Sequence, residues 1–166
     1  MSAQARLEHL TQGRNLDAAA AEALVGELVE ASTPDALIAA VLTALRTKGE
    51  CTAELVGVTR GLMARAKSVN NAPSGAVDTC GTGGDRSGTF NISTAAGLLA
   101  AACGVPVVKH GNRSVTSKSG SADVIEALGI PMQAPDAAQA DPRFVFLFAP
   151  HFHPALGRIG TVRKAL

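Results

Sequence analysis

Apolar positions in the first 67 residues recur every three or four places, the spacing of one face of a helix. Asp17 precedes an alanine-rich run that carries Leu24, Val25, Leu28 and Val29 on one side. Thr33-Pro34-Asp35 predicts a helix start, with a capping hydroxyl, proline at the first helical position and an acid at the positive end. Leu37, Ile38, Val41, Leu42 and Leu45 follow at helical spacing, and Arg46 and Lys48 close that helix before Gly49. Thr52 is expected to cap a further helix carrying Leu55, Val58, Leu62 and Met63. The pattern is that of a small helical domain whose work is packing.

Beyond the polar linker Asn70-Asn71-Ala72-Pro73-Ser74-Gly75 the pattern changes to strand, loop, helix, the signature of a parallel α/β sheet. Strands are expected at 76–80, 105–108 and 144–148. Helices are expected at 91–103, ended by Gly104, and at 121–128, ended by Gly129. Ala149-Pro150 turns the chain, and a last helix runs from Pro154 to the end. The predicted fold class is α/β, with a small all-helical domain over 1–70 and the first part of a larger α/β domain, mainly parallel, over 71–166. Three strands with an open edge make a thin sheet, so the expectation is the front half of something longer.

Composition narrows the function classes. A net charge of +1 implies no general attraction to nucleic acid or a membrane surface. Five Phe, with neither Trp nor Tyr, offer little stacking platform for single strands. Cys51, Cys80 and Cys103 are odd in number and far apart, against a disulfide framework or zinc and in keeping with a reducing compartment. Cys80 reads as a small buried hydrophobe rather than a nucleophile. With no apolar leader core and no run long enough to span a bilayer, the expected location is cytoplasmic.

The candidate chemistry lies in two loops, each between a predicted strand and a predicted helix. The first runs Asp78-Thr-Cys-Gly-Thr-Gly-Gly-Asp85 and continues to Thr89 and Asn91-Ile-Ser-Thr94. Gly81, Gly83 and Gly84 allow close approach of a ligand to the backbone, while hydroxyls and an amide converge at a helix start, where anions bind. No Gly-Lys-Ser/Thr follows, so this is not a Walker loop, and the third glycine of a dinucleotide fingerprint is missing. Ser93 taken alone reads equally well as a plain helix cap. The second loop presents Lys109, His110, Asn112 and Arg113 beside Ser114, Thr116, Ser117, Ser119 and Ser121, cations and hydroxyls that suit phosphate. Two neighbouring anion loops point to a ligand with more than one phosphate. His151 and His153 read equally well as turn packing.

Taken together, Gly81-Thr-Gly-Gly-Asp85, Thr89-Phe-Asn-Ile-Ser-Thr94, Lys109-His-Gly-Asn-Arg-Ser114, Ser117-Lys-Ser-Gly-Ser-Ala-Asp123, Phe146-Leu-Phe-Ala-Pro150, His153-Pro-Ala155 and Val162-Arg-Lys164 closely resemble the anthranilate phosphoribosyltransferases. The resemblance implies a nucleoside phosphorylase/phosphoribosyltransferase-like fold, a homodimer through the helical domains, and magnesium as cofactor. It implies transfer of phosphoribose from 5-phosphoribosyl 1-diphosphate to the amine of anthranilate, in tryptophan biosynthesis. By position it assigns the sugar diphosphate to Gly81, Gly84, Asp85, Thr89, Asn91, Ile92, Ser93, Thr94, Lys109, His110, Gly111, Asn112, Arg113, Ser114, Val115, Thr116, Ser117 and Ser121. Anthranilate falls to Gly81, Asn112 and Arg163, with His110 and His153 nearby, and the metal to Ser93. Anthranilate's aryl amine is already a usable nucleophile, so the burden is alignment and stabilisation of the departing diphosphate.

Two departures accompany the resemblance. Between Gly129 and Phe146 the chain is about four residues short of the family pattern, roughly one helical turn. The family's magnesium-binding Asp-Glu pair has no counterpart before Leu166, so this chain alone is expected to be inactive. A pyrimidine nucleoside phosphorylase shares the architecture, but Asn91-Ile-Ser-Thr94 and Lys109-His-Gly-Asn112 argue against it. A non-catalytic ligand- or nucleic-acid-binding relative is the other reading, which low charge and scarce aromatics disfavour for nucleic acid.

Overall fold

The computed structural model describes residues 1–69, 72–81, 89–114, 120–133 and 143–166. These form two compact units, Met1–Ala66 with His153–Leu166, and Lys67–Phe152. The expected boundary at 70/71 therefore divides the chain differently from the packing in its last residues, which belong with the helices.

The helical unit holds α1 (Ala3–Thr11), α2 (Ala18–Leu28), α3 (Asp35–Lys48), α4 (Thr52–Met63), α8 (Pro154–Arg158) and α9 (Gly160–Ala165). Its core gathers Leu10, Leu24, Leu28, Ile38, Val41, Ile159 and Val162, with Leu37 and Leu45 half-buried at the margin. Asp17 caps α2 as expected, accepting from the Ala20 N–H at 2.7 Å. The start of α3 differs from expectation. Pro34 takes the cap position, and the Thr33 hydroxyl donates to the Glu27 carbonyl at 2.6 Å instead of capping. The expected last helix breaks at Ile159 into α8 and α9. Arg158 ties α8 to the start of α3, reaching Asp35 Oδ1 at 2.9 Å and the Thr33 carbonyl at 2.6 Å.

The contact face of α4 is centred on glycines rather than on the apolar side chains that predict it, of which Val58 and Leu62 are half-buried. Leu55 and Met63 are 56% and 63% exposed, whereas Gly57 and Gly61 are buried. A Cβ on Gly57 would stand 2.2 Å from the Ala18 carbonyl oxygen, and one on Gly61 2.7 Å from Val25 Cβ. The helices α2 and α4 thus touch backbone to side chain along a seam that only glycine permits.

Residue Cys51, not Thr52, caps α4, and Glu54 reaches back to it. The Glu54 carboxylate is 1% exposed and accepts from the N–H groups of Leu16 at 2.9 Å and Cys51 at 3.0 Å, with the Lys48 ammonium at 2.9 Å. Burial pushes its pKa up, but those two N–H groups and Lys48 together outweigh it and hold the carboxyl below its usual 4.5. A carboxyl depressed in the folded state contributes stability that is complete above its unfolded pKa and is lost as pH falls through the folded one. Glu54→Gln should therefore destabilise most at pH 7. The gap to wild type should narrow as denaturation is repeated at pH values below about 4.5, the usual value. A gap independent of pH would show that the charge of Glu54 does not matter.

The second unit is α/β, built on a three-stranded parallel sheet in the order β1 (Val107–Gly111), β3 (Phe144–Phe148), β2 (Met132–Gln133). Its helices are α5 (Ile92–Ala102), α6 (Ser121–Ala127) and α7 (Ala149–Phe152). Gly104 and Gly129 follow α5 and α6 at φ 91° and 68°, the left-handed stops expected of them. Ala122, Ile125 and Phe146 pack on one face of the sheet, and Val145, Leu147 and Phe152 on the other.

The strand expected at 76–80 reduces to a single bridge, Val77 to Val107. Val77 N–H donates to the Pro106 carbonyl and Val108 N–H to the Val77 carbonyl, both at 3.0 Å. A continued parallel ladder would next join His110 N–H to the Thr79 carbonyl. Instead His110 N–H meets Asp78 Oδ1 at 3.4 Å, and the Thr79 carbonyl takes the Lys109 ammonium at 3.3 Å. Side chains have replaced the ladder where the first loop begins.

Candidate functional site

That replacement brings the two loops together. Strand β1 runs Val107 to Gly111 with alternate residues buried, so Lys109 points inward and is 1% exposed. Its ammonium lies 3.3 Å from the Thr79 carbonyl, 3.4 Å from Thr79 Oγ1 and 3.2 Å from Ser93 Oγ. Burial presses the ammonium below its usual range, and Asp78 and Cys80 partly offset this. Lys109 is thus a buried cation under the start of α5, not the surface cation its loop position suggests.

Asn91 is the N-cap of α5. Its Oδ1 accepts from the Thr94 N–H and from Ser93 Oγ, each at 3.0 Å, and its Nδ2 donates to Ser121 Oγ at 3.2 Å. Asn91 therefore links the start of α5 to the start of α6. Thr79 Oγ1 donates to the Ser93 carbonyl at 2.8 Å. Thr94 is fully buried, and its Oγ1 has no hydrogen-bond partner among the described residues.

Further along, Gly111 ends β1 at a place where a Cβ would stand 2.8 Å from both Phe146 Cε2 and Ser121 Cβ. Asn112 is exposed; its carbonyl accepts from Ala122 N–H at 3.1 Å and its Oδ1 from Arg113 N–H at 2.8 Å. Arg113 is engaged with carboxylates, donating to Asp123 at 3.0 Å and Glu126 at 2.7 Å, with its guanidinium 6.0 Å from the Phe148 ring centre. Those two acids hold its pKa above the usual value, and Arg113 in turn holds Glu126 below its own.

Of the residues singled out from the sequence, Asn91, Ser93, Thr94, Lys109 and Ser121 converge directly. Ile92 opens α5 beside them and is exposed, as are Gly81 and Thr89. Gly84, Asp85, Val115, Thr116 and Ser117 lie outside the described residues. His153 caps α8 and Arg163 lies exposed on α9, both in the helical unit, while His151 meets the Phe148 ring edge-on at 5.1 Å. Cys80 is exposed, contrary to its reading as a buried hydrophobe. Three contributors, Asp78, Thr79 and Asp123, stood in the quoted motifs without an assigned role in the site. Thr79 carried a signal, a hydroxyl two residues before the first glycine of the loop, whereas the position of Asp123 in the first turn of α6 gave no sign of a contact with Ser114.

The arrangement offers a helix N-terminus, hydroxyls and one buried cation at the C-terminal end of a parallel strand, which suits a phosphate-bearing ligand. Ser93 Oγ gives its proton to Asn91 and one lone pair to Lys109, leaving a second lone pair for one metal–oxygen bond. No group of three or more His, Cys, Asp or Glu that could hold a metal ion occurs among the described residues. No helix among them is long and apolar enough to cross a membrane.

Comparison with known proteins agrees with this geometry. The chain is 45% identical to an anthranilate phosphoribosyltransferase of Chlorobaculum parvum, over 100% of this chain and 48% of that protein. It superimposes on the crystal structure of the anthranilate phosphoribosyltransferase from Thermus thermophilus with a TM-score of 0.84 and 35% identity, covering 99% of this chain and 50% of that one. The same fold occurs in the Saccharomyces cerevisiae enzyme in complex with PRPP and Mg, at a TM-score of 0.83 and 24% identity, over 98% of this chain and 50% of that one. The chain thus spans about half the length of the relatives it matches. Residues 4–66 match the helical bundle domain of the glycosyl transferase family, and residues 73–166 match its a/b domain. With that second match covering more than half of its length, the chain belongs to the glycosyl transferase family.

Proposed function

We propose that this chain is the sugar-diphosphate-binding part of an anthranilate phosphoribosyltransferase. The observation that carries the reading is the convergence of Asn91, Ser93, Thr94, Lys109 and Ser121 where β1, α5 and α6 meet. In this reading the phosphates of 5-phosphoribosyl 1-diphosphate lie against the start of α5 and the residues from Lys109 to Ser121, with Gly81, Gly84, Asp85 and Thr89 completing the first loop. The helix end and the cation stabilise charge as the diphosphate leaves. Ser93 Oγ would hold a magnesium ion, which would supply positive charge to offset that of the departing diphosphate. Magnesium usually keeps waters and takes substrate phosphates together with one or two carboxylates, so Ser93 would be one part of its protein shell.

By position the resemblance assigns anthranilate to Gly81, Asn112 and Arg163, whose guanidinium suits a carboxylate, with His110 and His153 as further candidates. In the transfer the amine nitrogen forms the bond to ribose C1 as the C1–O bond to diphosphate breaks, and the ammonium proton passes to solvent. The division into 1–70 and 71–166 is supported by the family matches, whose limits at 66 and 73 bracket it. Exposed Leu55, Val56 and Met63 on α4 support a homodimer through the helical domain, and the working location is the cytoplasm.

The test is calorimetric titration with 5-phosphoribosyl 1-diphosphate, with and without magnesium, followed by anthranilate. Magnesium-dependent binding of the sugar diphosphate is expected. Binding of a pyrimidine nucleoside with inorganic phosphate, and not of the sugar diphosphate, would overturn the reading in favour of a phosphorylase. A salt-dependent shift with DNA in place of either would point to the nucleic-acid-binding alternative.

A further inference from the structure

Asp123 makes contacts that a helix cap does not require. Its Oδ2 accepts from the Gly120 N–H at 3.2 Å, the ordinary reach of a first-turn acid, but also from the Ser114 N–H at 3.1 Å, nine residues back. Its Oδ1 meets Arg113 at 3.0 Å. One carboxylate thereby joins the end of the β1 segment to the start of α6. The junction is tight, since a Cβ on Gly120 would stand 2.1 Å from the Ser114 nitrogen and 2.6 Å from Asp123 Oδ2. Gly120 is followed by Ser121, whose hydroxyl is held by the cap residue of α5 at 3.2 Å. A connected path therefore runs from Ser114 through Asp123, Gly120 and Ser121 to Asn91.

We propose that Asp123 is a positioning residue whose carboxylate clasps Ser114 to Gly120 and so holds Ser121 against Asn91 in the arrangement that takes the sugar diphosphate. This rests on the reading of the site as a sugar-diphosphate site. Asp123 does not touch the ligand and is not a catalytic residue. Two N–H donors on one oxygen and a guanidinium on the other take three of the roughly four acceptor sites of the carboxylate, more than the two lone pairs of the serine or threonine hydroxyl that suffices for a cap. Arg113 is not what makes the acid necessary, because Glu126 also holds it, at 2.7 and 3.2 Å.

The experiment compares Asp123→Ala, Asp123→Asn and Glu126→Gln in the full chain. It uses calorimetric titration with 5-phosphoribosyl 1-diphosphate and magnesium, and amide hydrogen exchange at Ser114 and Gly120. Asp123→Ala should bind about tenfold to a hundredfold more weakly and exchange faster at both amides, the scale of losing a charge-assisted hydrogen bond. Asp123→Asn keeps an oxygen that can accept both N–H groups, so it should stay close to wild type in affinity and protection. Glu126→Gln leaves the clasp and should match wild type. Normal binding by Asp123→Ala beside a binding wild type overturns this inference alone, and so does equal weakening by Asp123→Asn, which would mean that charge and not the clasp matters. Failure of the wild type to bind at all overturns the underlying reading of the site instead. If Asp123→Ala does not fold, Asp123→Ser, which keeps a helix-capping hydroxyl without the carboxylate, takes its place and should show the same loss of affinity and protection.

Discussion

Val41→Asp is expected to lower the thermal midpoint of the chain by roughly ten degrees or more. Val41 is fully buried on α3, among Leu10, Leu24, Leu28 and Ile38 of the helical core. An aspartate there either ionises without a partner or protonates, and both cost several kcal/mol of folding free energy. For a chain of this size each kcal/mol shifts the midpoint by about 2–4 °C. The variant also loses the methyl packing of valine, so Val41→Ala separates the two contributions: it should cost clearly less, since the cavity it leaves is small. Differential scanning calorimetry of wild type and both variants is the measurement. Equal midpoints for wild type and Val41→Asp would mean that this face of α3 is open to solvent.

The core of α3 was legible because its apolar residues are large and periodic. The same logic misread α4, for a physical reason. Periodicity counts side chains, whereas α4 approaches α2 through Gly57 and Gly61, which have none, and leaves Leu55 and Met63 outward. A glycine seam four residues apart is readable only if small residues are treated as a possible contact face. The α/β unit divides likewise. Phe144–Phe148 was legible end to end as a strand because a run of five apolar residues buried on both sides has few alternatives. The strand expected at 76–80 was not there to find. Its ladder groups are taken by Asp78 and Lys109, and no local propensity encodes a partner some thirty residues away. Met132–Gln133, two residues long and paired among the described residues with β3, left no pattern to read.

For the candidate site, residue types were legible and directions were not. The hydroxyls and amide of Asn91-Ile-Ser-Thr94 converge with Lys109 as their spacing implied. But whether Lys109 faces solvent or protein depends on which side of β1 the sheet covers, and that is decided by α5 and β3 together. Asp123 shows the same limit, since its role as a clasp exists only once Ser114 and Gly120 have been brought into contact.

The burial of Lys109 leads to the second large effect. A buried ammonium held by a carbonyl and two hydroxyls, with no carboxylate bonded to it among the described residues, is a poor way to stabilise a fold. Replacing it by an apolar side chain of similar length removes the desolvation cost, which outweighs the attraction of Asp78, and gives up three neutral acceptors, so Lys109→Met should fold with a midpoint equal to or above that of wild type. Lys109→Ala, which leaves a void, should lie below Lys109→Met. Binding should move the other way. Both variants lose the positive charge beneath the start of α5 and the bonds that orient Thr79 and Ser93, so both should bind 5-phosphoribosyl 1-diphosphate about tenfold to a hundredfold more weakly, with anthranilate affected less. Calorimetric titration with each ligand, paired with thermal melts of the same samples, reads both quantities. A cation retained at the expense of stability is the mark of a site, and that is the pattern expected. Unchanged affinity for the sugar diphosphate in Lys109→Met would remove Lys109 from the binding machinery. A large fall in its midpoint would make the ammonium a structural tie between the first loop and α5 and nothing more.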